Sequence, residues 1–115
     1  MSKREPRLYL VDIYDSINKI EEYTKGLLFP EFSNDQMTVD AVVRNLEIIG
    51  EAAKNVPAET SDKYPSIPWE KMVSMRNKVI HEYQNVDLDI LWKTIKEDLS
   101  PVKDAIKKLP EFSRK

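Results

Sequence analysis

The chain has 115 residues, a single histidine and no cysteine. The histidine lies in the segment Met75-Arg76-Asn77-Lys78-Val79-Ile80-His81-Glu82-Tyr83, which gathers a fixed cation, an imidazole and a phenol. An imidazole has an unperturbed pKa of ~6.5 and exchanges protons near neutral pH. A guanidinium stays charged and its planar fork matches the oxygens of a carboxylate or phosphate. The chemistry open to this segment is therefore proton transfer beside a bound anion. The same inventory excludes disulfides, thiolate zinc sites, Fe–S clusters and cysteine nucleophiles, and one histidine rules out a multi-histidine metal site.

Helix geometry decides whether the three groups can meet. At ~100° per residue, Arg76 and Tyr83 share nearly one helical face two turns apart, whereas His81 points roughly 140° away from Arg76. Convergence then needs the helix to end or bend near residue 80, or a second copy of the chain facing the first. Taken alone, a histidine near a helix end is more often a surface or capping residue than a catalyst. Arg76 could equally pair with an acid, and Tyr83 could belong to the core.

The elements that must carry this segment read as helices. With 41% apolar residues the chain suffices for one core, and residues 1–115 are expected to form a single domain. Only two glycines occur, and the seven prolines are dispersed, which leaves long stretches of good helix formers. Leu10, Ile13, Ile17, Ile20 and Leu27 follow a helical spacing from about Arg7 to Lys25, where Gly26 can stop the helix. After a loop containing Pro30, Ser33 and Gln36 form a capping-box signature for a second helix reaching about Asn55. Its apolar positions, among them Val42, Leu46, Ile49, Ala52 and Ala53, cover more than one narrow stripe and predict contacts on two sides. Gly50 in mid-helix costs about 1 kcal/mol relative to alanine and points to a close backbone approach.

Pro57, Pro65 and Pro68 bracket a connector in which Glu59–Lys63 can make a helical turn. Pro68 suits the first position of a third helix with Trp69, Met72, Val73, Val79 and Ile80 as core candidates. Asp87 is the expected N-cap of a fourth helix, whose stripe runs through Leu88, Leu91, Trp92, Ile95, Leu99, Val102, Ile106 and Leu109. Because that stripe continues through Ser100 and Pro101, a kink is expected there. The predicted fold is an all-α, antiparallel four-helix bundle with a short connector helix and a kinked last helix.

Arg76-x4-His81-x-Tyr83, with the polar Asn77 after the arginine, resembles the Arg-x4-His-x-Tyr motif of HepT-like proteins of the HEPN superfamily. Arg44-Asn45-Leu46-Glu47-Ile48-Ile49-Gly50-Glu51-Ala52-Ala53 is similar to that family's second-helix signature. Tyr64-Pro65 through Trp69, Val86-Asp87, Leu91-Trp92 and Asp98-Leu99 extend the similarity to about Leu109. The resemblance implies a homodimer whose two motif copies meet in one cleft, metal-independent RNA cleavage, and a minimal nucleotidyltransferase antitoxin as partner. It also implies a toxin whose Arg76 and His81 are catalytic and whose Tyr83 receives AMP from that antitoxin. No metal or cofactor is expected, and the RNA target would be tRNA or mRNA.

Two competing classes stay open from the sequence. One is a noncatalytic module that binds nucleotide or pairs with a nucleotidyltransferase, and the other is a structural dimer whose aromatic and methionine residues are only core. Glu47 and Glu51 could orient Arg76, or pair with Arg44 and Lys54 on a solvated face, and neither joins the candidate catalytic set. The net charge of −2 argues against an extended nucleic-acid coat but leaves room for RNA in a local cleft. Asp12 and Asp15 interrupt the first apolar stretch, so no signal peptide is expected, and no run is long enough to span a bilayer. The expected location is cytoplasmic.

Overall fold

The computed structural model describes residues 4–82 and 87–113, with side chains at all of these except 79–82 and 113. Helix α1 (Pro6–Thr24) is followed by the short α2 (Phe29–Ser33) and the long α3 (Gln36–Asn55). Then come the single-turn α4 (Ala58–Ser61) and α5 (Trp69–Glu82). The last arm consists of α6 (Leu88–Lys93), a π-helical turn (Thr94–Asp98), α7 (Leu99–Lys107) and the terminal α8 (Pro110–Ser113). No strand occurs among the described residues, and the fold is an all-α bundle. Among the described residues no helix is long and apolar enough to cross a membrane.

The bundle is organised around α3, which packs against α1 on one side and α5 on another. This is what its broad apolar surface predicts. Val42, Val43, Leu46, Ile49, Ala52 and Ala53 are all buried, and α1 adds Leu10, Ile13, Ile17 and Ile20, none of them exposed at all. Each such branched side chain contributes about 1.5–3 kcal/mol relative to leaving it in water. Leu91, Ile95, Leu99, Val102, Ile106 and Leu109 complete the core from the last arm.

The helix ends follow local chemistry. Gly26 takes a φ of 77° immediately after α1, a backbone state that costs glycine nothing and other residues appreciably. Asp87 caps α6 by accepting from the backbone N–H groups of Asp89 at 2.9 Å and Ile90 at 3.3 Å. At the chain's far end Tyr64 donates to Glu111 at 2.7 Å. That bond, with Lys63 nearby, holds the Glu111 carboxyl below the usual carboxylate range.

Three expectations need correction. The segment around Pro30 is not a loop: Pro30 sits in the first turn of α2, where its missing N–H is no loss. The Leu28 N–H donates back to Glu31 at 2.8 Å, and Phe32 is fully buried with its ring 4.8 Å from Trp92. Second, Ser33 closes α2, and the N-cap of α3 is Asp35, which accepts from the Thr38 N–H at 3.1 Å. An ionised carboxylate also complements the positive helix end better than a hydroxyl does. Third, the irregularity expected at Ser100 and Pro101 falls one turn earlier, in the π-helical turn Thr94–Asp98. A proline ring clashes with the carbonyl four residues back, which here is Glu97. Widening the preceding turn accommodates that ring while the apolar stripe continues.

Candidate active site

The site is built where α5 crosses α3. A Cβ added to Gly50 would lie 1.9 Å from Arg76 Cβ, 2.7 Å from Arg76 Cγ and 2.8 Å from the Met72 carbonyl oxygen. Only a residue without a side chain fits there, so the mid-helix glycine predicted to allow close packing does so against Arg76 itself. The contact seats the stem of Arg76 on the α3 backbone and directs its head toward the next α3 residue, Glu51.

The guanidinium is held at two nitrogens. Nη2 pairs with Glu51 Oε2 at 3.0 Å, and Nη1 donates to Asn77 Oδ1 at 2.9 Å. Arg76 retains 26% of its side-chain exposure and Glu51 52%, so the pair sits at the wall of a cleft. Its contribution to stability is correspondingly small, about 0–1 kcal/mol. Guanidinium carries five N–H donors in a rigid plane, and the two bonds fix that plane while leaving donors for an incoming oxyanion. Glu51, which sequence spacing could not separate from a partner of Lys54, is therefore the acid that orients Arg76.

The cleft beside this pair has a volume of ≈ 340 Å³. Its floor is the outer face of α3, where Arg44, Glu47, Ile48, Glu51 and Asn55 recur at three- and four-residue spacing. Arg76 lines one wall, and Arg4, Tyr9 and Asp12 from the start of the chain line the other. Arg4 bonds Asp12 at 2.6 and 3.3 Å, and its guanidinium lies over the Tyr9 ring, 5.1 Å from the centroid. No sequence motif announces this trough, because three segments remote in the chain assemble it. The visible hint is a polar stripe along a helix that is otherwise apolar.

Of the three motif residues, only Arg76 has a described side chain. His81 lies in the last turn of α5, which stays helical through Glu82. Arg76 and His81 thus both lie on α5, and the side chain of His81 lies outside the described ones. Tyr83 lies outside the described residues, as do the side chains of the core candidates Val79 and Ile80.

Residues 13–109 match the family model described as Ribonuclease HepT-like. The chain belongs to that family. It is 48% identical over 107 residues to the probable ribonuclease HepT of Thermococcus cleftensis, covering 93% of this chain and 97% of the relative. A Methanocaldococcus jannaschii protein named "Putative RNase" is 42% identical over 106 residues, with 92% and 97% covered. A second protein of that organism, named "Gamma-glutamylcyclotransferase and putative RNase", is 41% identical over 109 residues, which cover 95% of this chain and 49% of that protein. The matching region is thus about half of that larger polypeptide. No solved structure matches the chain. The match to the HepT-like model includes Gly50, Glu51, Arg76 and His81 and begins after Arg4, Tyr9 and Asp12.

Proposed function

We propose that this HepT-like protein is the toxin of a toxin–antitoxin pair, a metal-independent endoribonuclease that acts as a homodimer in the cytoplasm on tRNA or mRNA. The observation that carries this reading is Arg76, fixed by Glu51 and Asn77 at the wall of an open cleft in a chain of the HepT-like ribonuclease family. Cleaving RNA needs a proton removed from the 2′-hydroxyl, charge stabilised on the phosphorus oxygens, and a proton given to the departing 5′-oxygen. His81 suits both proton transfers and Arg76 the charge. The new bond joins the 2′-oxygen to phosphorus as the bond to the 5′-oxygen breaks, so the product ends in a 2′,3′-cyclic phosphate.

One chain has one imidazole for the two opposite roles of base and acid. A second subunit fills both, with one His81 neutral as base and the other protonated as acid. Supporting a homodimer is an open groove of ≈ 510 Å³ between α5 and α7, walled by Met72, Met75, Leu99 and Val102 among others. Lys71 and Lys78 stand on its α5 side and Glu97 and Asp98 on the other. A two-fold axis brings the basic lip of one copy to the acidic lip of the other, the self-complementarity that an isologous interface requires.

In this reading the partner is a minimal nucleotidyltransferase antitoxin that silences the enzyme at Tyr83. The Tyr83 oxygen attacks the α-phosphorus of ATP, pyrophosphate leaves and the phenolic proton passes to a base. The added AMP brings negative charge and bulk close to the cleft and opposes RNA phosphates by repulsion and occlusion. A Tyr83→Phe variant co-expressed with the antitoxin should gain no AMP mass and should escape neutralisation. Neutralisation as complete as that of the unsubstituted protein would remove Tyr83 from the account. Metal-free cleavage of RNA by the purified protein is the corresponding test of the chemistry.

A further inference from the structure

We infer that the trough over the outer face of α3 binds a single strand of RNA, with Arg44 holding a phosphate upstream or downstream of the scissile one and the Arg4–Tyr9 pair supporting a base. This rests on the ribonuclease reading and extends it to residues outside the motif. Three arginines line the trough, and two of them are engaged: Arg4 with Asp12 and Arg76 with Glu51. Arg44 is exposed and has no ion pair or hydrogen bond among the described residues. It is the arginine of this cleft whose charge is not locally offset by a bonded acid.

Its position along α3 suits a strand that also reaches Arg76. Arg44 and Glu51, the anchor of Arg76, are seven residues apart on one helical face, about 10 Å at 1.5 Å per residue. A strand stacked with an axial rise of ~3.4 Å per nucleotide covers that in about three nucleotides. Arg44 and Arg76 therefore suit two phosphates of one short segment. At the opposite wall, the Arg4 guanidinium rests on the half-buried Tyr9 ring and is fixed there by Asp12. A flat cation on an aromatic ring offers a stacking platform of the kind that unpaired bases use.

The acids select the form of the ligand. Asp12, Glu47 and Glu51 match the three arginines in number, so a duplex, which presents mainly phosphates, meets as much repulsion as attraction. An unpaired strand presents base edges as well, and a carboxylate such as that of Glu47 can accept from an exocyclic amino group. A mixed lining is thus suited to a strand whose bases are splayed.

The test uses the full chain and a fluorescein-labelled, single-stranded 12-nucleotide RNA of mixed sequence, methylated on every 2′-oxygen so that it cannot be cut. Binding is read by fluorescence anisotropy across a salt series. Arg44→Gln should weaken binding about five- to tenfold and reduce the slope of log affinity against log salt by about 0.7, the value for one phosphate contact on a single strand. Tyr9→Ala should weaken binding at least about fivefold, while Lys107→Gln, an exposed substitution near the end of α7, should change nothing. An Arg44→Gln variant with unchanged affinity and unchanged salt slope overturns the subsite, as does wild-type protein that does not bind this RNA. Cleavage of the unmethylated RNA is scored separately. Binding that depends on Arg44 without any cleavage upholds the subsite and overturns the ribonuclease reading instead.

Discussion

Arg76→Ala should lower kcat/KM for RNA by about 10²–10³, the loss produced by removing a donor aimed at developing oxyanion charge. The substitution should leave the fold nearly as stable as before. The Arg76–Glu51 pair is half in water, with side-chain exposures of 26% and 52%, so its loss costs about 1 kcal/mol at most. Arg76→Lys is the informative companion. It keeps the charge, but an ammonium cannot hold Glu51, Asn77 and a phosphate in one plane, so rescue should be slight. Kinetics and urea unfolding measured on the same preparations separate the outcomes. An Arg76→Ala protein that cleaves normally but unfolds at much lower urea would make the arginine a packing residue and favour the purely structural dimer.

Gly50→Ala should destabilise the protein by about 2 kcal/mol, although the same change in a solvent-facing helix stabilises by about 1 kcal/mol. The sign is reversed by contact: the new methyl carbon would stand 1.9 Å from Arg76 Cβ and 2.8 Å from the Met72 carbonyl oxygen. Neither atom is the free end of a flexible side chain, so α5 as a whole must move away from α3, and overpacking of this kind costs about 1–3 kcal/mol or more. Activity should fall with stability, because the displacement draws the Arg76 head from Glu51. Urea unfolding checks the first effect: the midpoint should drop with an unchanged m value. A higher midpoint would mean that the two helices are not in contact at this glycine.

Much of this arrangement is legible in the sequence where a single local rule governs it. Gly26 ends α1 because glycine alone takes the left-handed state cheaply, and Asp87 caps α6 because its carboxylate reaches two free N–H groups. Gly50 signals a close approach for want of any other reason to tolerate it in mid-helix. The illegible parts arise where one signal hides another or where the relevant neighbours are distant in the chain. Pro30 reads as a loop former, yet α2 exists because Phe29 and Phe32 both pack against Trp92, some sixty residues on. Ser33 and Gln36 satisfy a capping pattern, but Asp35 sits between them and carries the stronger acceptor. For the site, the motif singles out Arg76. What it cannot supply is the choice of Arg76 over Lys54 as the partner of Glu51, or the joining of Arg4, Arg44 and Arg76 in one trough, since both depend on how α1 and α5 lie across α3.

The proposed chemistry asks for two opposite proton transfers, and the chain has one imidazole, His81, on α5. A homodimer would supply a second copy, and His81 is the residue on which the proposal turns. The most direct measurement is RNA cleavage by purified protein in excess EDTA, with His81→Ala prepared identically and shown to have the same circular dichroism and melting temperature. The unsubstituted protein should yield fragments ending in 2′,3′-cyclic phosphate, and the variant should lose at least about 10²-fold in rate. Equal cleavage by both proteins, or none by either, would contradict it.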